Sequence, residues 1–402
     1  MKNIRKITDD LYYIGQNDRR INLFENVYPV PDGVSYNSYF LDGEKTVLFD
    51  TVDKSQNAQF FENLEGILNK RPLDYFIINH LEPDHSALIK EVIDKYKNVK
   101  LICNQKTKQM LFQFFEFEND IESNFQIVKE GDVININNRK FTFVMAPMVH
   151  WPEVMVTYDM TDKILFSADA FGSFGALDGN IFDYEVDMDK KIDEYRRYYS
   201  NIVGKYGAQV NSLLKKASEL DIKMICPLHG LILKESISKL IDKYTKWANY
   251  IPEEKSLIIA YASVYGGTQN AVEILASKLS QNNVKNIKIF DVSKTHHSYI
   301  LSECFKSSHI VIATTTYNNG IFVNMEHLLT DLIKHNLQNR TFALIDNGSW
   351  LPNIKGCIKT MLSSLKGSKF IEKELTIKST LKKEQEEELD ELAKAISSDL
   401  NN

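Results

Sequence analysis

Short apolar runs alternate along the chain with stretches of helical spacing, and this alternation predicts strands and helices in turn. Val34 to Thr51 predicts a hairpin whose turn, Leu41-Asp42-Gly43-Glu44, leads into Thr46-Val47-Leu48-Phe49. Phe60, Phe61, Leu64, Ile67 and Leu68 share one face of a helix over Ala58 to Leu68. Tyr75-Phe76-Ile77-Ile78 is a continuous apolar run, the mark of a strand buried on both faces. Asn79 to Ser86 reads as a loop and Ala87 to Tyr96 as a helix. Further strands are predicted at Val99 to Ile102, Phe141 to Val144 and Lys163 to Ser167. Lys190 to Leu220 predicts a long, mostly helical stretch, rich in aromatic residues near Tyr195 to Tyr199.

Proline and charge interrupt the pattern at Ile251-Pro252-Glu253-Glu254-Lys255, which predicts a domain boundary between residues 1–250 and 255–402. Beyond it the order restarts as a strand at Ser256 to Tyr261, a glycine turn and a helix at Ala271 to Leu279. Buried strands follow at Ile287 to Phe290, His309 to Ala313 and Thr341 to Ile345. Such regular alternation predicts an α/β fold with a doubly wound parallel sheet. Leu389, Leu392, Ala393 and Ile396 mark a terminal helix packed on that sheet, with Glu386-Glu387-Glu388 on its solvated side.

Composition narrows the possibilities. At 402 residues the chain can build two or three domains, each with a full core, and its net charge of −6 offers no basic patch for nucleic acid or anionic membrane. No apolar run reaches membrane-spanning length and no secretory leader precedes Asp9 and Asp10, so a cytoplasmic protein is expected. Cys103, Cys226, Cys304 and Cys357 are scattered without a Cys-x-x-Cys pair. That argues against a rubredoxin-type iron site, an iron–sulfur cluster or a zinc finger, and free buried thiols are expected.

The strongest chemical signal is His80-Leu81-Glu82-Pro83-Asp84-His85, directly after the buried strand ending at Ile78. Loops at the carboxyl ends of strands are where open α/β folds place their sites. A polar turn capping the next helix through Asp84 or Ser86 is the bland alternative. His150, Asp169 and His229 each follow a predicted strand as well, so all the histidines of the first 250 residues fall at strand ends.

These residues resemble the binuclear site of the metallo-β-lactamase-type proteins. The hydrolytic zinc members usually carry His-x-His-x-Asp-His, whereas this chain has Glu82 at the second histidine position. A carboxylate there hardens the site and favours iron over zinc. The substitution is similar to the pattern of the flavodiiron proteins. That resemblance implies an N-terminal metallo-β-lactamase-like αββα sandwich with two iron ions. It places His80, Glu82 and His150 on one iron and Asp84, His85 and His229 on the other, with Asp169 bridging. Some members swing the equivalent of His85 away from the metal. Glu82, Asp84 and Asp169 would set three negative charges against the four positive charges of a diferrous pair. Tyr198 or Tyr199 could give a proton or hydrogen bond near the irons; core packing is their alternative role.

In the second half, Ser263-Val264-Tyr265-Gly266-Gly267-Thr268 lies between a strand and a helix and resembles the phosphate loop of flavodoxins. Hydroxyls, backbone N–H groups and a helix N-terminus bind a terminal phosphate without a cationic side chain. The loop is neither a Walker A motif nor a dinucleotide fingerprint. Thr314-Thr315-Thr316-Tyr317-Asn318-Asn319-Gly320 and Asn347-Gly348-Ser349-Trp350 resemble the flavin-ring loops of flavodiiron proteins, although Thr314-Thr315 replace the usual Ser-Pro. Tyr317 and Trp350 would offer aromatic faces to the ring of FMN. Pro31 to Asn37 and Phe171 to Leu177 are also similar to stretches of that family, so the resemblance runs nearly end to end. His296, His297, His309, His327 and His335 fall outside the motifs and read as structural or surface residues.

The resemblance implies an oxidoreductase that reduces O2 to water, NO to N2O, or both. It implies electrons relayed through FMN and an external donor such as a rubredoxin or a flavin reductase. It further implies a head-to-tail homodimer or dimer of dimers, with Trp350 and Glu82 near the junction. Two other readings stay open on the residues alone: a dizinc hydrolase using a metal-bound hydroxide, and an electron carrier whose first half only docks partners.

Overall fold

The computed structural model describes residues 2–117 and 121–401. The chain divides into two compact units, one formed by Met1–Tyr199 with Ala208–Thr245, the other by Ser200–Gly207 with Lys246–Asn402.

In the first unit, a seven-stranded sheet runs in the order Arg5–Lys6, Leu11–Tyr13, Tyr39–Leu41, Val47–Phe49, Tyr75–Ile77, Lys100–Cys103 and Phe125–Ile127. A five-stranded sheet takes Val133–Ile136, Arg139–Met145, Met155–Asp159, Ile164–Phe166 and Met224–Cys226. Rings from both sheets interdigitate: Phe49 stacks on Phe166 with centroids 3.9 Å apart, and Tyr39 meets Phe166 edge-on. Helices such as Asn57–Leu68 and Gln105–Phe114 accompany the sheets, and the αββα sandwich expected from the sequence is formed. The hairpin is Tyr39–Leu41 with Val47–Phe49, while Val34–Tyr36 pairs instead with Gln16–Asp18.

The parallel strands bring the site loops together. Tyr75–Ile77 runs parallel to both its neighbours, and Ile164–Phe166 runs parallel to Met224–Cys226. The segments bearing His80, Asp169 and His229 therefore leave from carboxyl ends, as an open α/β site requires.

The long aromatic stretch is not one helix. Met188–Tyr198 passes into a π turn at Tyr199–Val203 and a 3₁₀ turn at Gly204–Tyr206 before Gly207–Ala217 resumes. Successive residues Tyr198 and Tyr199 are both wholly buried, which a regular helix with a single apolar stripe does not supply.

The second unit is a parallel sheet ordered Lys288–Asp291, Glu254–Tyr261, Ser307–Tyr317, Thr341–Asn347, closed by Lys369–Phe370 and Leu375–Ile377. This is the doubly wound flavodoxin-like order. Leu389, Leu392, Ala393 and Ile396 of the helix Glu386–Asn401 are buried against Ile259, Val311 and Ile345, with Val272 and Leu275 of the helix Gly267–Gln281 in the same core. Ser307–Tyr317 extends past the expected end at Ala313 and turns back on Gly320–Ile321. Asn318 and Asn319 both have positive φ, 49° and 60°, as a two-residue hairpin turn demands.

Candidate metal centre and flavin loops

The first motif is held from behind by a buried carboxylate. Asp50 accepts Asn79 N at 2.7 Å, Asn79 Nδ2 at 2.8 Å and His80 N at 3.2 Å. Burial pushes its carboxyl up to about 6, against the pull of the Asn79 hydrogen bonds. The segment expected as plain loop contains one helical turn, Pro83–Ser86, with Pro83 at its first position. That turn sets Asp84 and His85 side by side, and Thr51 Oγ1 donates to the His85 carbonyl at 2.6 Å.

The seven expected ligands form two buried groups. His80, Glu82, His150 and Asp169 make the first, and Asp84, His85 and His229 the second. In the first, His150 Nε2 lies 3.0 Å from Glu82 Oε2 and 3.3 Å from Asp169 Oδ2, while His80 Nε2 lies 3.4 and 3.5 Å from the same two atoms. In the second, His229 Nε2 lies 3.2 Å from Asp84 Oδ2, and His85 Nε2 is 2.9 Å from His229 Nε2 and 3.4 Å from Asp84 Oδ2. The other Asp169 oxygen, Oδ1, faces this group at 3.3 Å from His85 Nε2 and 3.9 Å from His229 Nε2. One carboxylate thus addresses both groups, one oxygen each. Donors about 3 Å apart match neighbouring corners of a coordination shell with bonds of roughly 2.1 Å.

Several of the polar atoms converging here are left without a hydrogen-bond partner by the protein. His80 Nε2, Glu82 Oε2, both Asp84 carboxylate oxygens and Asp169 Oδ1 are buried without hydrogen-bond partners among the described residues. Buried orphan groups are costly unless an ion meets them. Burial alone would raise the Asp169 carboxyl, but His80 and His85 outweigh it and hold it well below the usual carboxylate range. Three carboxylates with four imidazoles suit iron better than the histidine-rich set of a zinc hydrolase, so the donors can hold two iron ions.

The outer contacts orient the imidazoles. His80 Nδ1 donates to Glu153 Oε1 at 2.9 Å, and His229 Nδ1 to the Ser35 carbonyl at 2.7 Å. Each leaves Nε2 free for a metal. The Pro31 to Asn37 segment serves here too: Ser35 Oγ accepts Gly230 N, and Asn37 Nδ2 donates to the carbonyls of Pro227 and Gly230. Tyr198 is wholly buried, its ring 5.4 Å from that of His229, and its hydroxyl has no partner among the described residues. Tyr199 packs edge-on against Tyr244. Sequence reasoning missed Glu153 and Asp50; each follows a strand or motif but has no spacing that singles it out.

In the second unit, Ser263, Val264, Tyr265, Gly267, Thr268, Thr315, Asn347 and Ser349 line a cavity of about 180 Å3. Ser263 Oγ accepts Gly266 N at 3.1 Å, and Gly266, with φ +88°, caps the helix Gly267–Gln281. Asn347 Nδ2 donates to Thr268 Oγ1 and Thr315 Oγ1 to the Asn347 carbonyl, binding three loops together. Ser379 and Thr380 also line the cavity and were not foreseen. Gly266, Thr316, Tyr317, Asn318, Asn319, Gly320, Gly348 and Trp350 are not part of its lining. Tyr265 is 99% exposed, Trp350 87% and Tyr317 50%, a degree of aromatic exposure that calls for a ligand or partner. His296, His297 and His327, expected as plain structural or surface residues, line a separate cavity of about 300 Å3.

Fold and site together define a binuclear metalloenzyme of the metallo-β-lactamase type joined to a flavodoxin-like unit. The family model described as ODP family beta lactamase matches residues 34–230. An anaerobic nitric oxide reductase flavorubredoxin of Vibrio vulnificus is 32% identical over 86% of this chain and 70% of its own length. Among solved structures, the rubredoxin oxygen:oxidoreductase of Desulfovibrio gigas superposes with a TM-score of 0.92 at 24% identity, over 99% of both chains. A flavo di-iron protein of Thermotoga maritima gives 0.89 at 25% identity, over all of this chain and 99% of the other. The chain belongs to the flavodiiron protein family, and it is an oxidoreductase. The hydrolase and carrier readings fall with that membership.

Proposed function

We propose that this flavodiiron protein reduces O2 to water, NO to N2O, or both, with electrons relayed through FMN. The observation that carries the proposal is Asp169 set between two groups of buried donors, one of which contains Glu82. His80, Glu82 and His150 would hold one iron, Asp84, His85 and His229 the other, with Asp169 shared. The contacts of His85 to Asp84 and His229 support its place among the ligands. The first compact unit, expected over residues 1–250, would form the di-iron domain, and the second, expected over 255–402 but taking in Ser200–Gly207, the FMN domain, with the Ser263 to Thr268, Thr315 to Gly320 and Asn347 to Trp350 loops around the flavin. Bound there, a diferrous pair supplies two electrons and reduced FMN two more, enough for one O2 or two pairs of NO.

The chain's own groups do the rest. Glu153 and Ser35 fix the imidazole tautomers of His80 and His229. Burial pushes the Tyr198 hydroxyl well above its ordinary range, with Asp169, Glu82 and Asp84 adding to it, so it keeps its proton for a hydrogen bond toward the centre. Without a Cys-x-x-Cys pair the chain needs an external donor, and the names of its relatives support a rubredoxin. The exposed Trp350 and Tyr265 support a head-to-tail homodimer or dimer of dimers. Among the described residues no helix is long and apolar enough to cross a membrane and all four cysteines are free, which supports a cytoplasmic setting.

The test is iron and flavin analysis of the purified protein, followed by anaerobic turnover with each gas and reduced rubredoxin. Two irons, one FMN and consumption of either gas are expected. Two zinc ions and no flavin would sink the proposal.

A further inference from the structure

No residue lining the 180 Å3 cavity is charged. A flavin's terminal phosphate carries nearly two negative charges, and a helix N-terminus contributes only about half a positive one. Hydroxyls and amides can hold the phosphate there, but the loop sets no full positive charge against it. The unforeseen part of the lining, Ser379–Thr380, leads to a cation. Lys382 Nζ donates to Thr380 Oγ1 at 3.0 Å, and Lys382 has no ion-pair partner among the described residues.

This segment is clamped in place. Ser379 N donates to Asn347 Oδ1 at 3.0 Å, Asn347 Nδ2 donates to the Ser379 carbonyl at 3.1 Å, and Ser379 Oγ meets Ser349 Oγ at 3.0 Å. Ser379 adopts φ +69°, and a Cβ on Gly267 would run into its carbonyl oxygen, so it abuts the start of the helix Gly267–Gln281. Downstream, Lys382 opens the turn Lys383–Gln385, and Gln385 Nε2 is tied to the Thr376 carbonyl at 2.8 Å. The lysine is thus carried on a backbone fixed at both ends, one hydrogen bond from the cavity wall.

We infer that Ser379–Thr380 and Lys382 form a second phosphate-binding element that makes the site selective for a flavin bearing a terminal phosphate. The inference rests on the reading that the Ser263 to Thr268 loop holds FMN. Lys382 supplies the charge that the hydroxyl-and-amide loop lacks, and Thr380 positions it. Riboflavin, with no phosphate, gains nothing from this element.

The experiment titrates the flavin-free full-length chain with FMN and with riboflavin, following flavin fluorescence at several salt concentrations. Wild type should bind FMN more tightly than riboflavin. Lys382→Ala should weaken FMN about tenfold and flatten its salt dependence, leave riboflavin unchanged, and be rescued by Lys382→Arg. Equal loss for both flavins, or no loss for FMN, overturns the element while leaving the FMN reading intact. If wild type binds neither flavin, the FMN reading fails and the element with it.

Discussion

Replacing Glu153 probes the metal centre without touching a proposed ligand. Its Oε1 accepts both His80 Nδ1 and Leu81 N, each at 2.9 Å, and the side chain is wholly buried. In Glu153→Ala the His80 ring loses the acceptor that keeps Nε2 directed at the metal. Loss of such an outer contact lowers metal affinity about 10- to 100-fold, or roughly 1.4–2.7 kcal/mol. The buried Leu81 N–H also loses its partner, at about 1–3 kcal/mol of folding stability. Glu153→Gln keeps an oxygen acceptor without the charge and should fall between the two. Glu153 bonds to His80 and to no residue of the Asp84, His85 and His229 group, so the weakening should be confined to one of the two irons. The assay is anaerobic Fe(II) titration of the metal-free protein against a competing chelator, with a thermal melt read separately. Two-step binding with one step weakened is expected. Wild-type affinity at both steps, or parallel weakening of both, would refute the argument.

Tyr198→Phe removes a buried hydroxyl that has no partner, so stability should hold or rise, while gas reduction falls about 100-fold if the proton is used; wild-type turnover would dismiss the role. In the metal-free protein, burial lowers the His150 imidazole, but Asp169 and Glu82 more than reverse this and lift it to about 9. A folded value above the ordinary 6.5 means its stabilisation is complete below that pH and is lost as pH rises through about 9. The metal-free melting temperature should therefore drop between pH 6.5 and 9.5, and the drop should shrink with iron bound, because the metal displaces the proton; a flat metal-free profile contradicts this. Gly267→Ala places a Cβ against the Ser379 carbonyl and should cost most of the bound flavin while iron content stays unchanged; full flavin occupancy in that variant would show that the contact yields.

What the sequence disclosed was local or periodic. His80 to His85 sit within six consecutive residues, and Glu82 alone separates the iron pattern from the zinc one. The terminal helix was legible because Leu389, Leu392, Ala393 and Ile396 repeat at helical spacing, and all four are buried. What it hid was made by tertiary contact. Glu153 meets His80 across a separation of 73 residues, and Ser379 meets Asn347 across 32. The π turn at Tyr199–Val203 was hidden because residue spacing does not separate a wide turn from a regular one, and the burial of both Tyr198 and Tyr199 is visible only in the folded chain. Asn318-Asn319 could have been read as a hairpin turn, since asparagine tolerates positive φ at both central positions.

The chain reaches its second compact unit twice, first briefly at Ser200–Gly207 and finally from Lys246 onward. The early visit is bonded in: Asn201 Nδ2 donates to the Ser298 carbonyl, the His335 ring donates to the Asn201 carbonyl, and Tyr250 OH donates to the Gly204 carbonyl. A gene segment starting after codon 245 therefore encodes a flavodoxin-like unit with a piece missing. The converse fragment carries that piece with nothing to receive it. Recombination with one crossover cannot exchange such a unit cleanly, and neither can a cloning strategy that treats it as a cassette. The two halves are legible as separate folds, yet they are inherited as one text.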